Sequence, residues 1–311
     1  MSSTLTHAAF GDSWDVDFLE DKVRMEALEK LGFSQLCNPD SKSGIGRKKG
    51  DTIKYNFLPS LSRSFTVTPV SEGVPLPLAT TSPVTASANV EEYGVKMQFT
   101  SRYIDLGIQT DVDHLVKLLA DDIARTEDIL AYDQCVKAAW KYVFNSTANA
   151  FSTNGTPGAT TDENLTYDNL FDLATVAEEN NIPTFDGENY VYVSTPEHIR
   201  FLQKQDKATS IVKEENAQAA LNGEIGVVSN VRLVKDNLPG LVKTIATSFK
   251  EGFLVGGDAI MRDYVIEPTI RMWDEEGGRL NNVSWDMQVA HQLIYRQSVH
   301  KEERIIHQTS A

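Results

Sequence analysis

Between Ile108 and Asn154 the chain has neither glycine nor proline. No other feature restricts the fold as much, because these two residues are the usual stop signals of a helix. Thr110 and Asp113 open the stretch with a capping-box-like spacing. Val112, Leu115, Leu119, Ile123, Leu130 and the Val136–Trp140 region then form one apolar side at helical spacing. The pattern predicts a helix from Asp111 to Phe144, 34 residues and roughly 51 Å at 1.5 Å per residue. A compact protein of 311 residues is only about 50 Å across, so the stretch is either one spine helix or two helices with no visible break between them. Asp121, Asp122, Glu127 and Asp128 read as its wet face, or as partners for basic residues elsewhere.

What precedes the helix has the opposite character. Residues 1–16 are polar and read as an arm. Leu19, Val23, Leu28 and Leu31 then lie on one stripe of an amphipathic helix of about four turns, ended by Gly32. A turn-rich linker, CNPDSKSGIG, follows. In DTIKYNFLPSL the period changes to two, with Ile53, Tyr55 and Phe57 on one face and Thr52, Lys54 and Asn56 on the other. RSFTVTPV continues the ribbon through Phe65 and Val67, and Pro59 and Pro69 confine it to edges or bulges. Gly73 to Val90 carries no charge and reads as extended but poorly structured. EEYGVKMQFTSRYIDLG reads as the returning strand, so residues 46–107 form one long β excursion.

The second half alternates helix and strand signals. Thr166 caps a helix over YDNLFDLATVAEENN, which stops before Pro183. YVYVS is a short buried strand, and TPEHIRFLQKQ starts a helix with a cap, a first-turn proline and an acid. EIGVVSNVRLVKDNL, SFKEGFLVGGDAI, DYVIEPTIRMW and QLIYRQSVH supply strands. The expectation is helices beside a mostly antiparallel sheet.

Charge is unevenly spread. The chain carries net charge −15. Residues 41–63 run against it, with Lys42, Arg47, Lys48, Lys49, Lys54 and Arg63 opposed by Asp51 alone, a local +5 that leaves −20 elsewhere. An overall acidic chain is a poor general binder of nucleic acid, because phosphate attraction needs basic surface. Two surfaces of opposite sign on one chain can instead attract a second copy of it. No apolar run approaches the roughly 20 residues of a membrane helix, and MSSTLTHAAF lacks the parts of a signal peptide. Cys37 and Cys135, too far apart for a metal spacing, read as two buried thiols of a protein made in a reducing cytoplasm.

Signatures of enzyme chemistry are sparse. The chain has no P-loop, no strand-linked GxGxxG, no GxSxG and no HExxH. Gly256-Gly257 reads as a turn or bulge, and His198 as a capping or surface group at a helix start. His300, Glu303 and His307 share a helical spacing, but their segment reads as strand plus tail, which argues against a metal site. The acidic stretches DGEN (186–189) and DEEGG (274–278) lack the calcium-loop pattern and read as solvated loops, with loose cation binding as the alternative.

The order of elements and one short motif together resemble the major capsid proteins of tailed bacteriophages. A basic ribbon leads to Glu72, Gly73 and Pro75, then an uncharged Thr/Val stretch, then Tyr93-Gly94, then a long acidic helix from Asp111. The resemblance spans almost the full chain. It implies an α+β, Hong Kong 97-type capsid fold with an N-terminal arm, an extended β-hairpin loop, a spine helix in a peripheral domain and a mixed α/β axial domain. The implied division is arm and helix 1–45, extended loop and return strand 46–107, peripheral domain 108–164, axial domain 165–260, and returning peripheral strands with the tail 261–311. The implied function is structural: hexamers and pentamers closing an icosahedral head around double-stranded DNA, with the chain made in the bacterial cytoplasm and ending in the virion.

The partners implied are further copies of the chain, a scaffolding protein, a portal, and in some cases a decoration protein, with no membrane. No catalytic residue, cofactor or metal is expected. No crosslinking signature is recognisable, which implies non-covalent assembly. Candidate inter-subunit contacts are Arg47, Lys48, Lys49, Lys54, Arg63 and Glu72 for charge, and Tyr55, Phe57 and Phe65 for apolar contact. Three other readings stand beside this one: an encapsulin-like compartment of the same fold, an α/β hydrolase using His198, and a fibre or adhesin-like protein, which the long helix fits poorly.

Overall fold

A computed structural model describes residues 32–39, 50–57, 72–73, 84–100, 110–144, 149–153, 165–203, 224–228, 230–236, 242–245, 247–277, 279–294 and 303–310. The long helix is there as α1, Thr110–Val136, 27 residues and about 40 Å. It ends eight residues before the expected Phe144. The chain turns at Lys137, and Trp140–Val143 becomes strand β5, paired in parallel with Ile306–Thr309 of β14 (Ile305–Ser310). The Glu303 carboxylate accepts from the Ala139 and Trp140 amides, the latter at 3.1 Å, and so directs the exit from the helix. Tertiary pairing here overrides a segment with no local breaker.

Two sheets carry the molecule. The smaller has the order β1-β12-β13-β4, from Cys37–Pro39, Ile260–Glu275, Leu280–Leu293 and Glu91–Thr100. Its spine is the β12–β13 hairpin, which runs far past the expected DYVIEPTIRMW strand and includes NNVSWDMQV, unassigned in the sequence. The hairpin turns at Glu276 and Gly277, both at positive φ. Its register shifts between Tyr264 and Thr269, where Pro268 stands, as a proline inside a strand requires. α1 lies across this sheet. Leu119, Ala120, Ile123 and Ala124 pack on Ile270, Val283, Trp285, Met287 and Val289, and the Trp285 indole N–H donates to Asp122 at 2.8 Å.

The larger sheet has the order β6-β5-β14-β11-β7-β9-β8, with β10 also paired to β11. Its further strands are β6 (Ala150–Ser152), β7 (Tyr190–Ser194), β8 (Glu224–Val228), β9 (Val231–Lys235), β10 (Val242–Ile245) and β11 (Thr247–Val255). The segment EIGVVSNVRLV is a two-stranded unit rather than one strand, turning at Asn230 with φ 60°. β7 is buried at all five positions because both faces are covered. Tyr190 and Tyr192 meet Leu170 and Leu173 of α2 (Tyr167–Glu179) and Ile199 and Leu202 of α3 (Pro196–Gln203). Val191 and Val193 point the other way, onto Phe33, Tyr132, Cys135, Phe253, Ile260 and Leu293. That second cluster joins α1 and both sheets, and it contains both buried, free cysteines.

Candidate inter-subunit surface

The described part of the basic ribbon is a hairpin of β2 (Thr52–Phe57) with β3 (Val84–Asn89), in register from Thr52 opposite Asn89 to Phe57 opposite Val84. The partner of the first strand is therefore drawn from the uncharged stretch read as poorly structured. EEYGVKMQFT, read as the return strand, is β4 and pairs with β13 instead. The Gly50 amide donates to the Val90 carbonyl and the Val90 amide to the Asp51 carbonyl, both at 2.9 Å. These two bonds close the root of the hairpin.

The alternation read in the sequence sorts the faces. Ile53, Tyr55, Ala88 and Val90 turn inward onto Ala290 of β13. Thr52, Lys54 and Asn56 are exposed. On that outer face Thr52 donates to Asn89 at 3.0 Å and Thr85 to Asn56 at 2.8 Å, cross-strand pairs that stiffen a two-stranded ribbon.

The candidate residues fall into three groups. Lys54 is exposed on the outer face, and Glu72 is exposed in a turn whose Gly73 has φ 85°. Tyr55 is a correction: its ring is 2% exposed inside its own subunit, so its apolar area is already used there. Phe57 ends β2, and its side chain lies outside the described residues, as do Arg47, Lys48, Lys49, Arg63 and Phe65.

The acids of α1 are a second correction. Asp121 is exposed, as a wet face requires, but Glu127 and Asp128 are 4% and 6% exposed. Asp128 accepts from the Gly32 amide at 3.0 and 3.1 Å and from the Ser34 amide at 3.0 Å. Glu127 accepts from the Ser34 hydroxyl at 3.1 Å, from Arg262 at 3.4 Å and from the Tyr264 hydroxyl. The Arg262 guanidinium also sits 5.0 Å from the Tyr264 ring centre. The two carboxylates clamp the start of the 3-10 turn Phe33–Leu36 against α1. Burial raises the Asp128 carboxyl to about 6, and Asp236 adds to the rise, against the amide hydrogen bonds that lower it. The sequence held a signal: Glu127 is four residues after Ile123 and eight after Leu119, on the buried stripe.

His198 is a third correction. It is buried, with Nδ1 2.6 Å from the Ser194 hydroxyl, which itself donates to the Glu251 carbonyl at 3.1 Å. The Ser194 and His198 side chains are both buried, at 0% and 1% exposed, which encloses the pair in the core. His307 faces Glu251 at 3.2 Å and stacks on Phe253 at 4.6 Å, and Glu251 accepts from the Tyr132 hydroxyl at 2.7 Å. Gly256-Gly257 forms the turn between β11 and β12, its amides donating to the Arg304 and Pro183 carbonyls at 2.8 and 3.0 Å. Asp186 accepts from the Glu188 and Asn189 amides and pairs with Arg232 at 2.8 Å, which organises its loop. Among the described residues no cluster of three metal-ligating side chains occurs, and no helix is long and apolar enough to cross a membrane.

A cleft of about 580 Å³ opens where the end of α1 meets β3, β4 and β13, lined among others by Glu91, Asp133, Gln134, Lys137 and His291. Burial lowers the His291 imidazole to about 3, with Arg262 and Lys137 adding to the effect. It is neutral at ordinary pH.

No protein-family model and no curated protein matches the chain. Solved structures do. A capsid structure of Ralstonia phage GP4 superposes with a TM-score of 0.64 at 13% identity, covering 91% of this chain and 89% of the other. The Cyanophage Pam1 capsid gives 0.62 at 12% identity, covering 88% of each chain. The head structure of Helicobacter pylori bacteriophage KHP40 gives 0.62 at 11% identity, again covering 88% of each. Spine helix, hairpin, two sheets and these superpositions together give the chain the Hong Kong 97-type phage capsid fold.

Proposed function

We infer that this chain is a major capsid subunit, which assembles as hexamers and pentamers into an icosahedral head enclosing double-stranded DNA. The observation that carries the reading is the extent of the likeness: about nine-tenths of both chains superpose on capsid and head structures. The role is structural, which agrees with a Ser194–His198 pair committed to the core. Scaffolding protein, portal and any decoration protein would be its partners in assembly.

In this reading the basic ribbon is the inter-subunit grip. Residues 41–63 carry a local +5 against −20 elsewhere, so the ribbon of one copy meets an acidic surface of the next, and many weak contacts add up in a closed shell. Arg47, Lys48, Lys49, Lys54 and Arg63 supply the charge, with Glu72 as a further polar contact and Phe57 and Phe65 as apolar ones. An acidic remainder also keeps the inner wall from trapping the packed genome. Reversing two charges, Lys48→Glu with Lys49→Glu, tests the grip. Assembly is impaired while the subunit still folds; particles of normal yield and size from this variant contradict the assignment.

A further inference from the structure

Four elements build the cleft at the end of α1, and its chemistry is sorted by position. Leu130, Asp133 and Gln134 fall at i, i+3 and i+4 on α1 and share one face, and Lys137 follows just past the helix end. β3 and β4 bring Ser87, Asn89, Glu91 and Tyr93, and β13 brings Val289 and His291. The volume of about 580 Å³ falls in the range of small-molecule sites, about 300–1,000 Å³.

Glu91 and Asp133 are exposed. The Tyr93 hydroxyl donates to Glu91 at 2.7 Å and orients it, while Asp133 has no hydrogen bond or ion pair among the described residues. Burial raises the Tyr93 hydroxyl, and Glu91 and then Asp133 add to the rise, so this end of the cleft is anionic. Lys137 donates to the Gln134 side chain at 3.3 Å. At His291 the local field has the opposite sign, since Arg262 and Lys137 add to the burial that lowers the imidazole. Leu130, Val136 and Val289 supply apolar wall. The His291 Nε2 is buried and has no hydrogen-bond partner among the described residues. A buried nitrogen left unsatisfied costs its desolvation, and a ligand atom that reached it would offset that cost.

This combination selects a cation carried on a hydrocarbon stem. A bare metal ion would leave the apolar wall unused, and no three metal-ligating side chains converge among the described residues. A simple anion would meet Glu91 and Asp133 at the mouth. A guanidinium or ammonium group suits two carboxylates, its stem covers apolar surface, and the Tyr93 ring adds a cation–π contact. We propose that the cleft binds a guanidinium or alkylammonium group on an aliphatic stem, with Glu91 and Asp133 taking the charge, Tyr93 flanking the stem and His291 meeting a polar atom at the far end. Two sources offer that chemistry: a small organic cation in solution, or an arginine or lysine of a second copy of the chain. The second source rests on the subunit reading above; the site itself does not.

Calorimetric titration of the full chain with n-butylguanidinium at low salt tests the site. Binding is expected. Glu91→Gln with Asp133→Asn, at two exposed positions, should weaken it by about tenfold or more without moving the denaturation midpoint. Glu179→Gln, an exposed acid on α2, should leave it unchanged. Pentanoate, an anion with a similar stem, should not bind. No binding by the native chain, unchanged affinity in the double variant, or equal binding of pentanoate overturns the proposal. Assembly of the double variant then separates the sources. A loss of particles assigns the cation to a neighbouring copy, and normal particles with n-butylguanidinium binding lost assign the site to a small cation. Failure of the native chain itself to form particles would count against the shell reading alone, with the titration still deciding the site.

Discussion

The Asp128 carboxylate on α1 accepts the Ser34 amide at 3.0 Å, across 94 residues of sequence. With the Gly32 amide on the same carboxylate, this is where the 3-10 turn Phe33–Leu36 is fastened to α1. The fastening has a cost. The carboxylate is buried, with Asp236 near it, and its proton affinity rises to about 6 from an ordinary 3.8.

Asp128→Ala removes the acceptor and leaves the buried Ser34 amide without it. A loss of about 2–3 kcal/mol in unfolding free energy is expected, since an orphaned buried donor costs its desolvation. The pH dependence has a definite sign. A raised folded-state value means that the folded protein binds the proton first, so the charge penalty is relieved as pH falls through 6 toward 3.8. Compared with Asp128→Asn, which does not titrate, the native chain should gain on the order of 2 kcal/mol between pH 7 and pH 4. Urea unfolding of both chains across that range measures it; a constant difference contradicts the assignment.

His291 titrates with the opposite sign. Its imidazole is lowered to about 3 from 6.5, first by burial and then by Arg262 and Lys137. The unfolded chain takes up the proton below pH 6.5 while the folded chain does not. Stability is therefore complete above that pH and is lost as pH falls, by about 1 kcal/mol per pH unit. His291→Gln should flatten the fall in stability between pH 6.5 and 4, read in the same unfolding experiment. An unchanged slope would mean that His291 is protonated in the folded chain.

Gly94, half of the Tyr-Gly motif, lies opposite Asp286 where β4 pairs with β13. A Cβ at this position would run into the Trp285 carbonyl and stand 3.1 Å from the Asp286 Cα. Both obstacles are backbone, so neither can rotate away. Gly94→Ala should cost about 1–3 kcal/mol through overpacking, measured as a lowered denaturation midpoint. An unaffected midpoint would mean that the two strands separate at no cost.

Local pattern revealed much of this fold, and long-range pairing accounts for the misses. The spine helix, the Thr166 cap and the inward alternation of Ile53 and Tyr55 were legible, because each depends on residues within a turn or two. The end of α1 was not, because Glu303, more than 160 residues away, takes the Ala139 and Trp140 amides. Val84–Asn89 lacks the charge alternation of a one-sided strand and becomes one by pairing with β2. Glu127 and Asp128 looked solvated because charge usually is; Arg262 and the arm turn that satisfy them lie far off in sequence. Of the candidate contacts, the outward position of Lys54 was legible from period two, and so was the inward face that takes Tyr55 away from a neighbour.

Whether the chain builds a shell is decided most directly by looking at it. Negative-stain electron microscopy of the purified full chain, beside size-exclusion chromatography with light scattering, should show closed or aberrant shells or capsomer-sized rings. A monomer at every salt and protein concentration, persisting when neighbouring genes are co-expressed, contradicts the shell assignment.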